Sequence, residues 1–389
     1  MKLLYVAKNI PIPGNDENDI IIRLAKLMES KGHKVDLIYP REKYAHFLKI
    51  LYRLSLGKDN KRLVALTKLL SSSLNSFNVM GRSISFISYF RIPFIKPLEW
   101  IFAHFLIKPT KYVGYDLVHS HFIFPDGIVG AKIAKKNNLN LIVTVREGDL
   151  KNIRNSQVNR SIAQSVLEQC DAIIALTPRI KKELTEMFGL EINVIGNFVK
   201  DEYFTTEDNL QVNKNKNKNK DKFRLILVAN FIARKNIDWA LEYANMHRNK
   251  VDLVVCGDGE LFDLYHEKYN DIVTFTGKVC SAELIKYLDY SDVFVLPSDN
   301  ESFGISYIEA ACRKNIIIGK SGTGLDGIDS EGFYFCSNKQ NFFDIIDNLV
   351  NLDEMSLEIR KSRAREKANS FSETSIYDMI NDTYIRAQG

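Results

Sequence analysis

Val293-Phe294-Val295-Leu296-Pro297-Ser298-Asp299-Asn300-Glu301-Ser302-Phe303-Gly304-Ile305-Ser306-Tyr307-Ile308-Glu309 reads as a strand, a loop and a helix in succession. The apolar run Val293 to Leu296 has the continuity of a strand buried on both faces, and Pro297-Ser298 stops it. Ile305 to Cys312 predicts the start of a helix. Glu301 then stands on the loop at the strand's carboxyl end, with Glu309 about two helical turns later. In a doubly wound sheet that crevice is where ligands bind. A solvated loop acid and a helix acid favoured by the dipole account for the isolated pair equally well.

The flanking sequence extends the pattern. Strand-like runs occur at Arg224 to Val228, Val251 to Val255, Val273 to Phe275 and Ile316 to Ile318, with helix-like stretches between them. An earlier series opens with Leu3 to Ala7, a helix over Asp19 to Lys31 and a strand over Val35 to Ile38. It continues with strands at Leu117-Val118, Leu141 to Thr144 and Ala172 to Leu176, then a helix over Pro178 to Phe188. Such alternation predicts an α/β protein with parallel sheets, and 389 residues exceed one ordinary core. Two Rossmann-like domains facing each other across a cleft are expected, residues 1–200 and 223–370. Between them, residues 201–222 form a polar linker, and the strict Asn/Lys alternation from Asn213 to Lys220 predicts a disordered, solvated loop.

Composition narrows the class further. Five scattered cysteines without C-x-x-C spacing argue against a zinc site or a disulfide framework and suit a reducing, cytoplasmic setting. No stretch is long or apolar enough to span a bilayer. The net charge of +5 is modest for the length, and no nucleic-acid partner is expected. The charge is uneven, however. From Arg41 to Lys111 thirteen basic residues face only three acids, Glu42, Asp59 and Glu99, with aromatics such as Tyr52, Phe86 and Trp100 among them. That pattern suits peripheral attachment to an anionic membrane surface, and equally a pair of ordinary helices with a solvated basic face.

Several loops carry chemistry. Arg234-Lys235 follows a strand and precedes a helix, where a planar fork and a point charge can face a diphosphate; a surface Arg-Lys pair is the plain alternative. Gly257-Asp258-Gly259 ends a strand and permits close backbone approach or a simple turn. His119-Ser120-His121 places two rings on one side of a strand, which admits a metal, but no third ligand accompanies them and none is expected. Arg146 and Asp149 stand at another strand's carboxyl end.

In order along the chain, these blocks resemble retaining glycosyltransferases of GT-B architecture, family 4. Glu301 to Glu309 is similar to the E-x7-E signature, and Asn230 to Asn236 to the G-R-L-x-x-x-K-G-x motif with Asn230 in place of Gly. Gly257-Asp258-Gly259-Glu260 resembles the G-x-G-P/E block. His119 to Gly127 resembles the H-x-H-x-x-x-P-D-G block, and Val143 to Asp149 the V-T-x-R-G-x-D block with Glu147 in place of Gly. Both belong to a bacterial cell-surface polysaccharide subgroup of teichuronic-acid type.

The resemblance implies transfer of a sugar from a nucleotide-sugar donor, a UDP-sugar on family grounds, to a glycan or polyprenyl-linked acceptor. Configuration would be retained, with no metal or other cofactor. Arg234 and Lys235 would hold the diphosphate, Glu301 the donor-sugar hydroxyls and Glu309 the ribose. The amides of Phe303, Gly304 and Ile305 would support sugar or phosphate, and Lys278-Val279 the base. Gly257 lines the nucleotide side, and Gly14 stands alone where many members carry Gly-Gly. His121 would sit near the donor sugar, and Arg146 and Asp149 on the acceptor or sugar side. A helix over residues 371–389 would cross back onto the N-terminal domain. A non-catalytic nucleotide-sugar-binding scaffold is the rival, and a hydrolysing epimerase a further one.

Overall fold

The computed structural model describes residues 1–13, 18–43, 76–90, 100, 111–205 and 222–389. They form two compact units: residues 1–176, 180–195 and 377–389 make the first, and residues 177–179 and 196–376 the second. Each is a Rossmann-like α/β unit built on a largely parallel sheet, which is the expected fold class.

In the first unit the strands are β1 (Lys2–Val6), β2 (Lys34–Lys43), β3 (Ser76–Val79), β4 (Arg82–Phe90), β5 (Leu117–Ser120), β6 (Asn140–Val145), β7 (Ala172–Ala175) and β8 (Asn193–Val194). Their order is β3-β4-β2-β1-β5-β6-β7-β8, with β3 antiparallel to β4 and the other pairings parallel. β5 is buried along its whole length and β6 after its first residue. Helices cover both faces of such a sheet, which is why these strands read as unbroken apolar runs. The helix Ile20–Ser30 buries Ile21, Ile22, Leu24, Ala25, Leu27 and Met28; this helical spacing marks the side facing the sheet. From Tyr377 onward the helix Glu373–Gln388 belongs to this unit, where Ile380 and Tyr384, one turn apart, are buried.

The second unit carries β9 (Phe223–Val228), β10 (Val251–Cys256), β11 (Thr274–Gly277), β12 (Val293–Val295), β13 (Ile316–Lys320) and β14 (Phe333–Cys336) in the order β11-β10-β9-β12-β13-β14. All its strand pairings are parallel. Leu225, Leu227, Leu253, Val255, Val293 and Val295 meet Leu241, Phe342 and Ile346 in its core. Residues 196–205 are tied here: Val199 N–H donates to Phe371 O at 2.9 Å. Arg313 Nη1 donates to Thr205 O at 2.6 Å and Arg365 Nη2 to Phe204 O at 2.7 Å.

Strand order reverses between β1 and β5 in the first sheet and between β9 and β12 in the second. The carboxyl ends at such switch points are where an open sheet leaves room for a ligand. Among the described residues no helix is long and apolar enough to cross a membrane. Most of the basic stretch 41–111 and the Asn/Lys repeat 213–220 lie outside the described residues.

Candidate functional site

In the second unit the switch point is laced together by its two loops. After β9 the chain makes a tight turn over Ala233–Lys235, and Asn236 takes φ +48° before the helix Ile237–Met246. Asn is among the few side chains that tolerate this left-handed conformation. Asn236 Nδ2 donates to Pro297 O at 2.8 Å, Asp299 N to Arg234 O at 2.8 Å, and Arg234 Nη1 to Asn300 O at 2.7 Å. These bonds bring Lys235 Nζ to 2.5 Å from Glu301 Oε2. Lys235 is only 7% exposed, while Arg234 stands out in solvent. Glu301 is fixed in turn, its N–H donating to Thr323 Oγ1 at 2.9 Å and its carbonyl accepting from Gly324 N at 2.7 Å.

Gly304 opens the helix Ile305–Cys312 at φ +82°, and a Cβ there would lie 2.3 Å from Tyr307 Cδ2. Tyr307 cannot yield, because it is buried and its hydroxyl donates to Leu296 O at 2.8 Å. The helix therefore begins at this spot, its N-terminal end beside the Lys235–Glu301 pair, an arrangement suited to an anion. The Phe303 side chain is buried, so only its main chain can serve a ligand. Glu309 is half-buried on the same helix. Behind β10, Gly257 takes φ +138° with its would-be Cβ 1.8 Å from Ala229 O, and that of Gly259 lies 2.7 Å from Phe231 N. This glycine pair lets the β10 turn pack on the loop leading to Arg234. Lys278 is exposed and Val279 half-buried just after β11.

At the switch point of the first unit the polar groups are buried. His119 and His121, on and just past β5, are each 1% exposed, with ring centroids 4.3 Å apart. His119 Nδ1 is 2.6 Å from Tyr384 Oη and its Nε2 2.8 Å from Thr144 Oγ1; Tyr384 Oη also meets Tyr5 Oη at 2.8 Å. Burial, reinforced by the nearby Arg146 cation, pushes the His119 imidazole down to about 3, so the ring is neutral. His121 is driven well down by burial, His119 and Arg146, and among the described residues neither ring nitrogen has a hydrogen-bond partner. Both nitrogens of this buried ring thus have hydrogen-bonding capacity that the described residues do not use.

Asp149, expected on the acceptor or sugar side, is 1% exposed and held by its own unit. Its Oδ1 accepts from Ile123 N at 2.9 Å and Phe124 N at 3.1 Å, and its Oδ2 from Arg146 N at 3.0 Å. These bonds cap the helix Glu147–Arg154 and pin the loop after His121. Burial raises its carboxyl to about 7 against the pull of those three N–H groups and of Arg146. Arg146 serves the same loop, with Nε 3.1 Å from His121 O. Gly14 lies outside the described residues.

Sequence reasoning missed Tyr5, Thr144, Tyr384, Asp126 and Lys8 in this cluster. Asp126 is fully buried: its Oδ1 accepts from Lys8 N at 3.0 Å, and among the described residues its Oδ2 has no partner. Burial and then Asp149 raise it well above the usual carboxylate range. Lys8 Nζ is engaged by Glu42, and by Tyr89 Oη at 2.9 Å. Tyr384 reaches the site from 265 positions away. Only the Pro125-Asp126-Gly127 turn carried any local signal. Among the described residues no group of three or more His, Cys, Asp or Glu could hold a metal ion.

Residues 20–203 match the family model described as Glycosyltransferase Family 4, and residues 209–367 the one described as Glycosyl transferases group 1. An uncharacterised glycosyltransferase of Methanocaldococcus jannaschii is 27% identical over 67% of this chain and 71% of its own length. The N-acetyl-alpha-D-glucosaminyl L-malate synthase of Bacillus anthracis is 24% identical over 76% of this chain and 82% of its own. Among solved structures, Anabaena Alr3699/HepE in complex with UDP-glucose superposes with a TM-score of 0.59 at 15% identity, covering 98% of this chain and 99% of that one.

Proposed function

The chain is a hexosyltransferase-type glycosyltransferase of the GT-B fold, and we propose that it transfers a sugar from a UDP-sugar, with retention of configuration and without a metal, to a glycan or lipid-linked acceptor of the cell surface. The observation that carries this reading is the Lys235–Glu301 pair beside exposed Arg234, at the switch point of the second sheet and the start of the helix bearing Glu309. The departing diphosphate gains negative charge in the transition state, and fixed cations stabilise that charge more than they stabilise the bound donor. Arg234 and Lys235 supply it here in place of a divalent ion. Glu301 keeps Lys235 in position and offers its second oxygen to donor-sugar hydroxyls, while Glu309 accepts from the ribose. The main-chain groups of Phe303, Gly304 and Ile305 receive sugar or phosphate oxygens, and Lys278-Val279 the base. In the first unit His121, whose ring nitrogens have no hydrogen-bond partner among the described residues, is assigned a hydroxyl of the sugar in transit.

No nucleophile stands out among these groups, so a front-face course fits: the departing phosphate oxygen takes the proton of the acceptor hydroxyl as the new glycosidic bond forms. Positioning and electrostatics are then the protein's share of the catalysis. The UDP-glucose complex of HepE and the N-acetylglucosaminyl product named for the Bacillus relative support a UDP-sugar donor. Similarity to the putative teichuronic acid biosynthesis glycosyltransferase TuaC of Bacillus subtilis, 22% identical over 52% of each chain, supports a cell-surface acceptor. The basic stretch 41–111 would hold the enzyme at the cytoplasmic leaflet.

A thermal-shift panel of UDP- and GDP-sugars on the parent and on Arg234→Ala/Lys235→Ala tests the reading. At 100 times its dissociation constant the true donor adds about 2.7 kcal/mol to the parent and little to the variant. Equal shifts in both proteins would remove the diphosphate assignment.

A further inference from the structure

Beneath His121 lies a closed polar chain that the transfer reaction has not yet used: Tyr5, Tyr384, His119 and Thr144, linked by contacts of 2.8, 2.6 and 2.8 Å and all buried. We propose that Tyr384 is a positioning residue for the transfer reaction, setting the tautomer and tilt of His119 and, through the adjoining ring, the seat of His121. The inference rests on the role assigned to His121 above.

A neutral imidazole has one N–H and one bare nitrogen, so one of its two partners must donate to it and the other accept from it. Tyr384 and Thr144 occupy the two nitrogens of His119, so one of these hydroxyls donates to the ring and the other accepts from it, and where Tyr384 donates, Tyr5 must in turn donate to Tyr384. Each hydroxyl thus restricts its neighbour, and the ring cannot flip without breaking both contacts in a dry site. His119 passes this constraint on by packing. Its ring lies 4.3 Å from that of His121 at 32°, and Tyr5 closes on His121 from another side at 4.7 Å and 70°. The His121 imidazole makes no protein hydrogen bond among the described residues, so these two rings fix its tilt, while its main chain is held by Val6 O, which accepts from its N–H at 3.1 Å, and by Arg146 at its carbonyl. A side chain oriented by packing alone depends on whatever orients its neighbours, and here that is a hydroxyl on the helix Glu373–Gln388.

The charged and titratable groups facing the His pair are Arg146, Tyr5 and Tyr384. Tyr5 and Tyr384 are both pushed above the ordinary phenol range by burial, so the chain keeps its protons throughout the working pH range.

The test uses the full-length protein carrying Tyr384→Phe, Thr144→Val, Tyr5→Phe or His121→Gln, with UDP release from UDP-glucose or UDP-N-acetylglucosamine as the rate. Tyr384→Phe keeps the ring and loses only the hydroxyl. Its kcat is expected to fall about tenfold, as loss of one buried hydrogen bond allows, with donor KM within about twofold. The ring nitrogens of His119 should move to a different tautomer pattern in 15N spectra, a change that loss of stability alone does not produce. Thr144→Val, which cuts the same chain at the other nitrogen, shifts kcat in the same direction, and Tyr5→Phe, one bond further out, has a smaller effect. Full kcat in Tyr384→Phe with His121→Gln inactive would overturn this inference and leave the transfer reading standing. Full kcat in His121→Gln would overturn this inference together with the role assigned to His121. Equal losses in kcat and thermal midpoint with unchanged His119 nitrogens would reduce Tyr384 to packing and overturn the proposal. Should Tyr384→Phe fold poorly, Thr144→Val and Tyr5→Phe read the same chain from its other members.

Discussion

Replacing Lys235 by Met separates the structural from the chemical use of one ion pair. At 2.5 Å, two unit charges attract by about 7 kcal/mol in a medium of effective dielectric constant near 20, before the desolvation of both groups is set against it. The side chains are 9% and 16% exposed, so little solvent screens the pair. Removing Lys235 alone leaves Glu301 charged and nearly buried, which costs about 3 kcal/mol and lowers the melting midpoint by roughly 6–12 °C for a unit of this size. Adding Glu301→Gln to Lys235→Met removes the orphaned charge and recovers at least about half of that loss. Activity should not follow. If Lys235 meets the departing diphosphate, kcat/KM for UDP release falls by about 100- to 1000-fold in the single variant and stays low in the double. Paired melting and rate measurements on the four members of this cycle give both coupling energies. A double variant whose activity returns with its stability would show the pair to be structural only, and a Lys235→Met enzyme within about threefold of the parent would do the same more simply.

Three further outcomes are expected. Gly257→Ala places a methyl group against Ala229 O at a strained φ, so the second unit should lose about 3 kcal/mol or more, read in thermal or urea unfolding; an unchanged midpoint would refute the close packing. Glu309→Gln should raise donor KM about 10-fold or more while kcat holds, as expected for a hydrogen bond present equally in ground and transition states; a fall in kcat alone would rule out the ribose assignment. Asp126→Asn concerns pH. The folded carboxyl lies well above its unfolded value, so between about pH 4 and that raised value the folded state binds the extra proton and parental stability falls as pH rises. Urea titrations at several pH values should therefore find the Asn variant gaining on the parent as pH increases from 4, with a constant difference between them below it. A gap independent of pH would contradict the assignment.

The architecture was legible because fully buried parallel strands leave uninterrupted apolar runs. Val293 to Leu296, Leu225 to Val228 and Val251 to Val255 each fall on a strand or its immediate end. The second unit's site was legible for a related reason: its groups sit within a few residues of a strand terminus, so linear order follows spatial order around Arg234, Lys235, Glu301 and Glu309. The first unit hid more. Asp149 looked like a ligand group from its strand-end position, but its three N–H partners come from its own capping turn and from residues 25 and 26 positions away, which meet it through the β5–β6 register. Tyr384 gave no signal, since an i, i+4 aromatic on a helix looks like core and its partner is fixed only when the sheet order is known. Lys8 and Asp126, likewise, join through a backbone bond across β1 and β5 that side-chain patterns do not encode.

The helix bearing Tyr384 also gives the molecule a timetable. A ribosome releases residues 1–195, nearly all of the first unit, before residues 377–389 exist. At about 5–20 residues per second the intervening roughly 180 residues take on the order of 10–40 s to make. For that interval the first sheet can form while His119 Nδ1 has no Tyr384 hydroxyl to meet and the surface that will bury Ile380 and Tyr384 is bare. The nascent first unit is thus an incomplete body exposing an apolar strip, the kind of surface that chaperones recognise, and its final seal comes from the far end of the same polypeptide.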